Sequence, residues 1–257
     1  MQDKKYWIWL TKLDLPLEKI RNILKTYTPE KIWSMKENEL KNIFTKEETL
    51  KILNQKYRKN LDSYIQYMQN HKIELITIED KEYPFKLKNI DDAPIALYTL
   101  GNKNLLKEQA IAVVGSRTCS EYGKTMSQAF SYLLAKKNIV IISGLALGVD
   151  AFAHEGALMA EGKTIAVIGT GIDFIYPKEN KDLLYKLVEN NGLIVSEYPL
   201  GTVPNKNNFP RRNRIISGIS DGILVIEARE KSGALITVNY ALDQGKEIYV
   251  VPRKPYK

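Results

Sequence analysis

The spacing of apolar residues changes character near Gln109, and the two patterns predict two kinds of structure. Up to about residue 70, apolar positions recur at helical spacing. Thr28-Pro29-Glu30 places a capping hydroxyl, a proline at the first helical position and an acid at a helix start. Thr45, with Glu48 three residues on, forms a capping box. From there Leu50, Leu53, Tyr57, Leu61, Tyr64, Ile65 and Met68 carry the period along one predicted helix to about Met68. Residues 72–100 read as a connector with Ile73–Ile78, Tyr83-Pro84 and a strand-like run, Pro94–Leu100.

Beyond Gln109 the apolar residues come as short unbroken runs: Ala110–Val114, Ile139–Ile142, Ile165–Ile168, Leu193–Ser196, Gly222–Ile226 and Glu247–Val251. Most show no alternation, as strands buried on both faces of a parallel sheet require. Helical segments are predicted between them at about 122–136, 151–161, 180–190, 211–219 and 233–243. The expected fold is α/β: an extended Rossmann-like, parallel-rich sheet with helices on both faces, preceded by a small all-helical N-terminal domain. The expected division is a helical accessory domain over 1–70, a connector over 71–104 leading into the sheet, and the sheet domain over 105–257.

Composition narrows the function classes. The 257 residues are 44% hydrophobic and 26% charged, ordinary for a globular protein. No apolar stretch is long enough to cross a bilayer, and the start of the chain lacks a signal-peptide pattern. One cysteine, Cys119, and two histidines, His71 and His154, argue against disulfide frameworks and Cys- or His-rich metal sites, so a reduced cytoplasmic protein without a cofactor is expected. The net charge of +8 favours a polyanionic partner.

In open α/β sheets, ligands sit beyond the carboxyl ends of the strands. There this sequence is rich in glycine and serine: Gly115-Ser116-Arg117, Ser143-Gly144, Gly169-Thr170-Gly171, Ser196-Glu197 and Ser232-Gly233-Ala234. Such turns admit close approach of a ligand and open helices whose N-termini favour anions. Dinucleotide, P-loop and nucleophile-elbow signatures are all missing. His154 reads as an ordinary helix residue and Cys119 as a passive small one.

The stretch between Glu197 and Asp221 contains no acid but carries Lys206, Arg211, Arg212 and Arg214, with Phe209 among them. Guanidinium groups bind phosphate bidentately, and an aromatic face stacks an unpaired base. That pairing suits single-stranded nucleic acid. At least one arginine, Arg214 foremost, is expected to be structural instead, paired with an internal acid.

Together these signatures resemble the DNA-processing protein A family, also called DprA or Smf. The residues that carry the resemblance are Val113-Val114-Gly115-Ser116-Arg117, Ser143 to Ala151, Gly169 to Asp173 with Tyr176-Pro177-Lys178-Glu179-Asn180, Ser196 to Gly201, Phe209 to Gly218, and Glu227-Ala228 with Ser232 to Thr237. The resemblance implies a non-enzymatic single-stranded DNA-binding protein that protects incoming strands in natural transformation and helps load the RecA recombinase. It also implies a homodimer formed partly through the late helices, and a SAM- or helix-hairpin-like accessory domain. Its DNA or phosphate site would comprise Gly115, Ser116, Arg117, Ser143, Gly144, Gly169, Gly171, Lys178, Lys206, Phe209, Arg211, Arg212 and Asn213. Arg253 stands where the family pattern has glycine, and the C-terminal end is short against that pattern. The alternative from another class is a nucleotide- or sugar-phosphate-processing enzyme resembling Rossmann-like phosphoribohydrolases, with Glu227 and Arg211 in the acidic and basic roles but without their P-G-G-x-G-T loop.

Overall fold

The computed structural model describes residues 4–54, 59–229 and 232–252. The N-terminal part is helical: α1 (Lys5–Thr11), α2 (Leu17–Leu24), α3 (Pro29–Ser34), α4 (Glu37–Lys41), α5 (Lys46–Leu53) and α6 (Leu61–Asn70). Both predicted starts are present. Thr28 accepts from the Lys31 N–H, with Pro29 at the first helical position. Thr45 and Glu48 exchange the two bonds of the capping box, at 3.3 and 2.7 Å.

The single helix expected from Thr45 to Met68 is instead divided. Asn54 leaves the helical region with ψ 119°, and Asn60 enters α6 left-handed at φ 62°. Leu50, which supported the long period, is 60% exposed, whereas Leu61, Ile65 and Met68 are buried. Tyr57 lies outside the described residues. Asparagine, whose side chain competes for backbone hydrogen bonds and tolerates positive φ, outweighs the apolar spacing at both of these positions.

The remaining elements are β1 (Ile73–Thr77), α7 (Phe85–Lys88), β2 (Ala96–Gly101), β3 (Ala110–Val114), α8 (Glu121–Ala135), β4 (Val140–Ser143), α9 (Val149–Met159), β5 (Thr164–Val167), α10 (Lys181–Glu189), β6 (Leu193–Ser196), α11 (Asn208–Ile219), β7 (Gly222–Val225), α12 (Gly233–Asp243) and β8 (Glu247–Val250). They build one eight-stranded sheet in the order β1-β2-β6-β5-β4-β3-β7-β8. The strands from β6 to β8 in that order pair in parallel, as expected. The connector contributes β1 and β2, antiparallel to each other, with β2 antiparallel to β6.

Strand β3 shows why the runs are unbroken. Ala112 and Val114 join the core beneath α11 and α12, while Val113 joins the opposite core beneath α8 and α9. Both faces are covered, so both must be apolar. Strand β8 departs from that pattern: Tyr249 is 52% and Val250 67% exposed, as an edge strand permits. A third core joins the N-terminal helices to the sheet, with Trp9 and Met68 packed in one cluster with Tyr98, Leu187 and Ile194. Hydrogen bonds tie the same junction: Thr11 Oγ1 and the Tyr98 hydroxyl are 2.8 Å apart, and the Leu200 N–H donates to the Tyr64 hydroxyl at 2.7 Å.

Candidate nucleic-acid interface

The chain runs from β3 through β4 and β5 to β6 in one direction, then returns to place β7 on the other side of β3. That reversal opens a crevice at the carboxyl ends of β3 and β7, the usual ligand position in such sheets. The crevice is a cleft of about 390 Å³. Its walls are the Gly115–Thr118 turn, the first turns of α11 and the start of α12.

Arg212 forms the floor. It is 4% exposed and donates through Nη1 to the Gly144 carbonyl at 2.7 Å and to the Val167 carbonyl. Asp150 lies beside it and accepts from the Gly144 N–H at 3.1 Å and the Ala146 N–H at 3.4 Å. Burial lowers the Arg212 pKa to about 10, against the pull of Asp150, so the guanidinium keeps its charge at neutral pH. Burial pushes the Asp150 carboxyl up, and Arg212 opposes the shift. Glycine at 144 makes this possible, because a Cβ there would lie 2.6 Å from Arg212 Nη2 and 2.7 Å from Asp150 Oδ2.

Above the floor, Arg117 is exposed and its guanidinium carbon lies 5.8 Å from the Phe209 ring centroid. The Tyr176 ring also lies beside Phe209, with ring centroids 5.4 Å apart and planes inclined at 37°. Gly169 admits the Phe209 ring: a Cβ there would lie 2.9 Å from it. A cation, an aromatic face and a buried guanidinium therefore meet at one opening. Asn213 closes the far side, donating to the Gly233 carbonyl at 3.2 Å.

The other residues expected at the site divide into those near it and those turned to structural tasks. Gly115 and Ser116 line the cleft, but the Ser116 N–H is donated to the Glu227 carbonyl at 2.7 Å and its hydroxyl to the Thr118 carbonyl at 2.8 Å. Ser143 is fully buried and donates to the Val113 carbonyl at 2.7 Å, bracing β3 against β4. Gly171 holds a loop, its N–H bonded to the Thr202 carbonyl at 2.9 Å. Lys178 and Lys206 are exposed and line neither this cleft nor the one described next.

Arg211 points elsewhere. It lines a second cleft of about 540 Å³, between α1–α2 and the segment from Glu197 to Asn208. Its Nε is 3.7 Å from Glu197 Oε1. Arg214 is fully buried and takes Glu197 bidentately at 2.7 and 2.6 Å, with Asp92 Oδ2 3.0 Å from its Nε, the structural role expected of it. Glu227, the acid of the phosphoribohydrolase alternative, accepts from the Ser120 N–H and hydroxyl at 3.0 and 2.8 Å and so anchors the start of α8. It lines neither cleft, and Arg211 faces the second, so the two do not converge.

His154 is buried in α9, with Nδ1 2.7 Å from Thr164 Oγ1. Burial and the charge of Arg212 lower its pKa to about 3. Burial and Glu227 raise the pKa of Cys119, as befits a passive thiol. Among the described residues no cluster of His, Cys, Asp and Glu could hold a metal ion, and no helix is long and apolar enough to cross a membrane. Arg229, Ser232 and Thr237, which are not among the residues the resemblance implies for the site, also line the first cleft. Their signal was the Ser232-Gly233-Ala234 turn at the start of α12.

Residues 74–257 match the family model of DNA recombination-mediator protein A, which spans the sheet and every element of both clefts except α1 and α2. The chain belongs to the DNA recombination-mediator protein A family. Protein Smf of Synechocystis is 40% identical over 209 residues, which are 80% of this chain and 52% of that protein. The chain thus spans about half the length of that curated relative. The fold matches DNA processing protein A of Streptococcus pneumoniae with a TM-score of 0.81 at 36% identity, covering 97% of this chain and 87% of that one. It also matches DNA processing protein A of Helicobacter pylori, whose structure concerns single-stranded DNA binding, with a TM-score of 0.64 at 34% identity over 70% and 82% of the two chains.

Proposed function

We propose that this family member is a non-enzymatic single-stranded DNA-binding protein. It holds a strand at the cleft between β3 and β7, protects incoming DNA in transformation and recombination, and presents it to the RecA recombinase, acting as a homodimer. The observation that carries this reading is Arg117 set over Phe209 at the mouth of a cleft floored by Arg212. An unpaired base stacks on the Phe209 ring, and the guanidinium groups take the adjoining phosphates. The relative from Helicobacter pylori, whose structure concerns single-stranded DNA binding, supports the same ligand. Lys178 and Lys206, exposed and outside both clefts, extend the positive field along the strand.

The test is fluorescence anisotropy of a labelled oligo-dT strand and of its blunt duplex, each at about 50 and about 200 mM salt. With about four to six phosphates neutralised, log K for the single strand falls with log salt by about 0.7 per contact. Equal affinity for duplex, or an affinity indifferent to salt, overturns the proposal.

A further inference from the structure

The second cleft holds a cation that the first does not explain. Lys12, at the end of α1, lines it with its ammonium 4.3 Å above the Tyr64 ring. The side chain is half-buried, and that burial lowers its pKa. Among the described residues no carboxylate pairs with it. A partly buried ammonium is normally paired, because desolvation is costly unless an anion offsets it. The acids nearby make no ion pair with it: Glu197 is 7% exposed and already taken by Arg214, Asp14 stands exposed at the rim, and Asp173, whose charge reaches Tyr64, accepts the Gly201 N–H at 2.9 Å.

Across the cleft from α1 lie the first two turns of α11. Their residues face two ways: Phe209, Arg212 and Asn213 line the first cleft, while Asn208 and Arg211 line the second. The start of α11 therefore separates the clefts. Arg211 can turn from Glu197, which keeps two stronger bonds to Arg214. Resting on the reading under Proposed function, we infer that the cleft between α1 and α11 is a second subsite for the same strand, which passes over the start of α11 and places a phosphate between Lys12 and Arg211. The N-terminal helices then contribute directly to DNA binding instead of only flanking the sheet. The junction is built to hold that wall in place, through the Tyr98–Thr11 and Tyr64–Leu200 bonds.

The experiment measures affinity for oligo-dT of about 4 and about 16 nucleotides, the range of footprints single-strand binders show. It uses the full chain, its Lys12→Gln variant and its Lys12→Arg variant. The wild type binds the longer strand more tightly than its extra length alone provides. Lys12→Gln lowers affinity for the longer strand about 3- to 10-fold, reduces its salt slope by about 0.7, and leaves the shorter strand within about twofold. Lys12→Arg restores both, which a merely structural role for Lys12 does not predict. Unchanged affinity and slope in Lys12→Gln for the longer strand overturn this inference and leave the first cleft standing. Failure of the wild type to bind either strand overturns both readings.

Discussion

The guanidinium of Arg117 lies over the face of Phe209, 5.8 Å from the ring centroid, although the two residues belong to different elements on opposite sides of the cleft mouth. Cation–π attraction at such an exposed site contributes only about 0.5–1 kcal/mol, so the pair separates at little cost when a base enters.

Phe209→Ala removes that platform. Base stacking on an aromatic face contributes about 1–3 kcal/mol, so affinity for single-stranded DNA falls roughly 5- to 150-fold. Phe209 is only half-buried, so the thermal midpoint moves little. Anisotropy titration and a melting scan on the same preparation check the two halves. A large loss of stability with unchanged affinity assigns Phe209 to packing instead.

Gly148 has φ +76°, and a Cβ there would press on the Ser116 carbonyl and lie 2.5 Å from the Arg117 carbonyl oxygen. Gly148→Ala therefore strains the backbone by about 1–3 kcal/mol and displaces the turn that carries Arg117. Both stability in urea and DNA affinity fall together. A variant with normal affinity would show that the turn's position is immaterial to binding.

How far the sequence revealed this arrangement depended on whether a signal was local. Unbroken apolar runs marked β3 through β7 to within about a residue, because burial on both faces leaves no room for polar alternation; the run at β8 marked its strand as closely, although that edge strand is largely exposed. The strand-end glycines marked the crevice because Arg212 and Phe209 come too close to Gly144 and Gly169 for a Cβ. Side-chain direction was not local. Arg211 and Arg212 are adjacent, yet helical geometry sends one to each cleft, and Ser143 looks like a ligand residue until its hydroxyl is found on the Val113 carbonyl. Lys12 carried no signal at all among the lysines of the N-terminal helices, since only the docking of α1 on the sheet places it opposite Arg211.

Arg214 and Glu197 test the structural side of the basic segment. Removing one member of a buried ion pair strands the other, so Arg214→Met costs about 3–5 kcal/mol in urea unfolding. Asp92, half-exposed, cannot replace the guanidinium for Glu197, which is 7% exposed. Adding Glu197→Leu to Arg214→Met removes the stranded carboxylate and recovers most of the loss. Equal instability in the single and double variants would mean the arginine acts through its packing and its bonds to Asp92 and Arg211.

His154 makes stability depend on pH. The Thr164 hydroxyl donates to the Ile141 carbonyl at 2.7 Å, so Nδ1 of His154 donates to Thr164 and Nε2 carries the lone pair, buried without a partner. Burial disfavours a proton on Nε2, and the charge of Arg212 opposes it further, so the folded pKa drops to about 3 from an ordinary 6.5. Between those values the unfolded chain binds a proton that the folded chain refuses. This contribution is therefore complete above about pH 6.5 and is lost as pH falls toward 3, with a limiting slope of about 1.4 kcal/mol per pH unit. Urea unfolding of the wild type from pH 7 to pH 4.5 shows that decline. His154→Gln cannot take up the proton, so its curve lacks this component and the gap between the two proteins narrows as the solution is acidified. Parallel curves across the whole range would show that His154 is not the group being titrated.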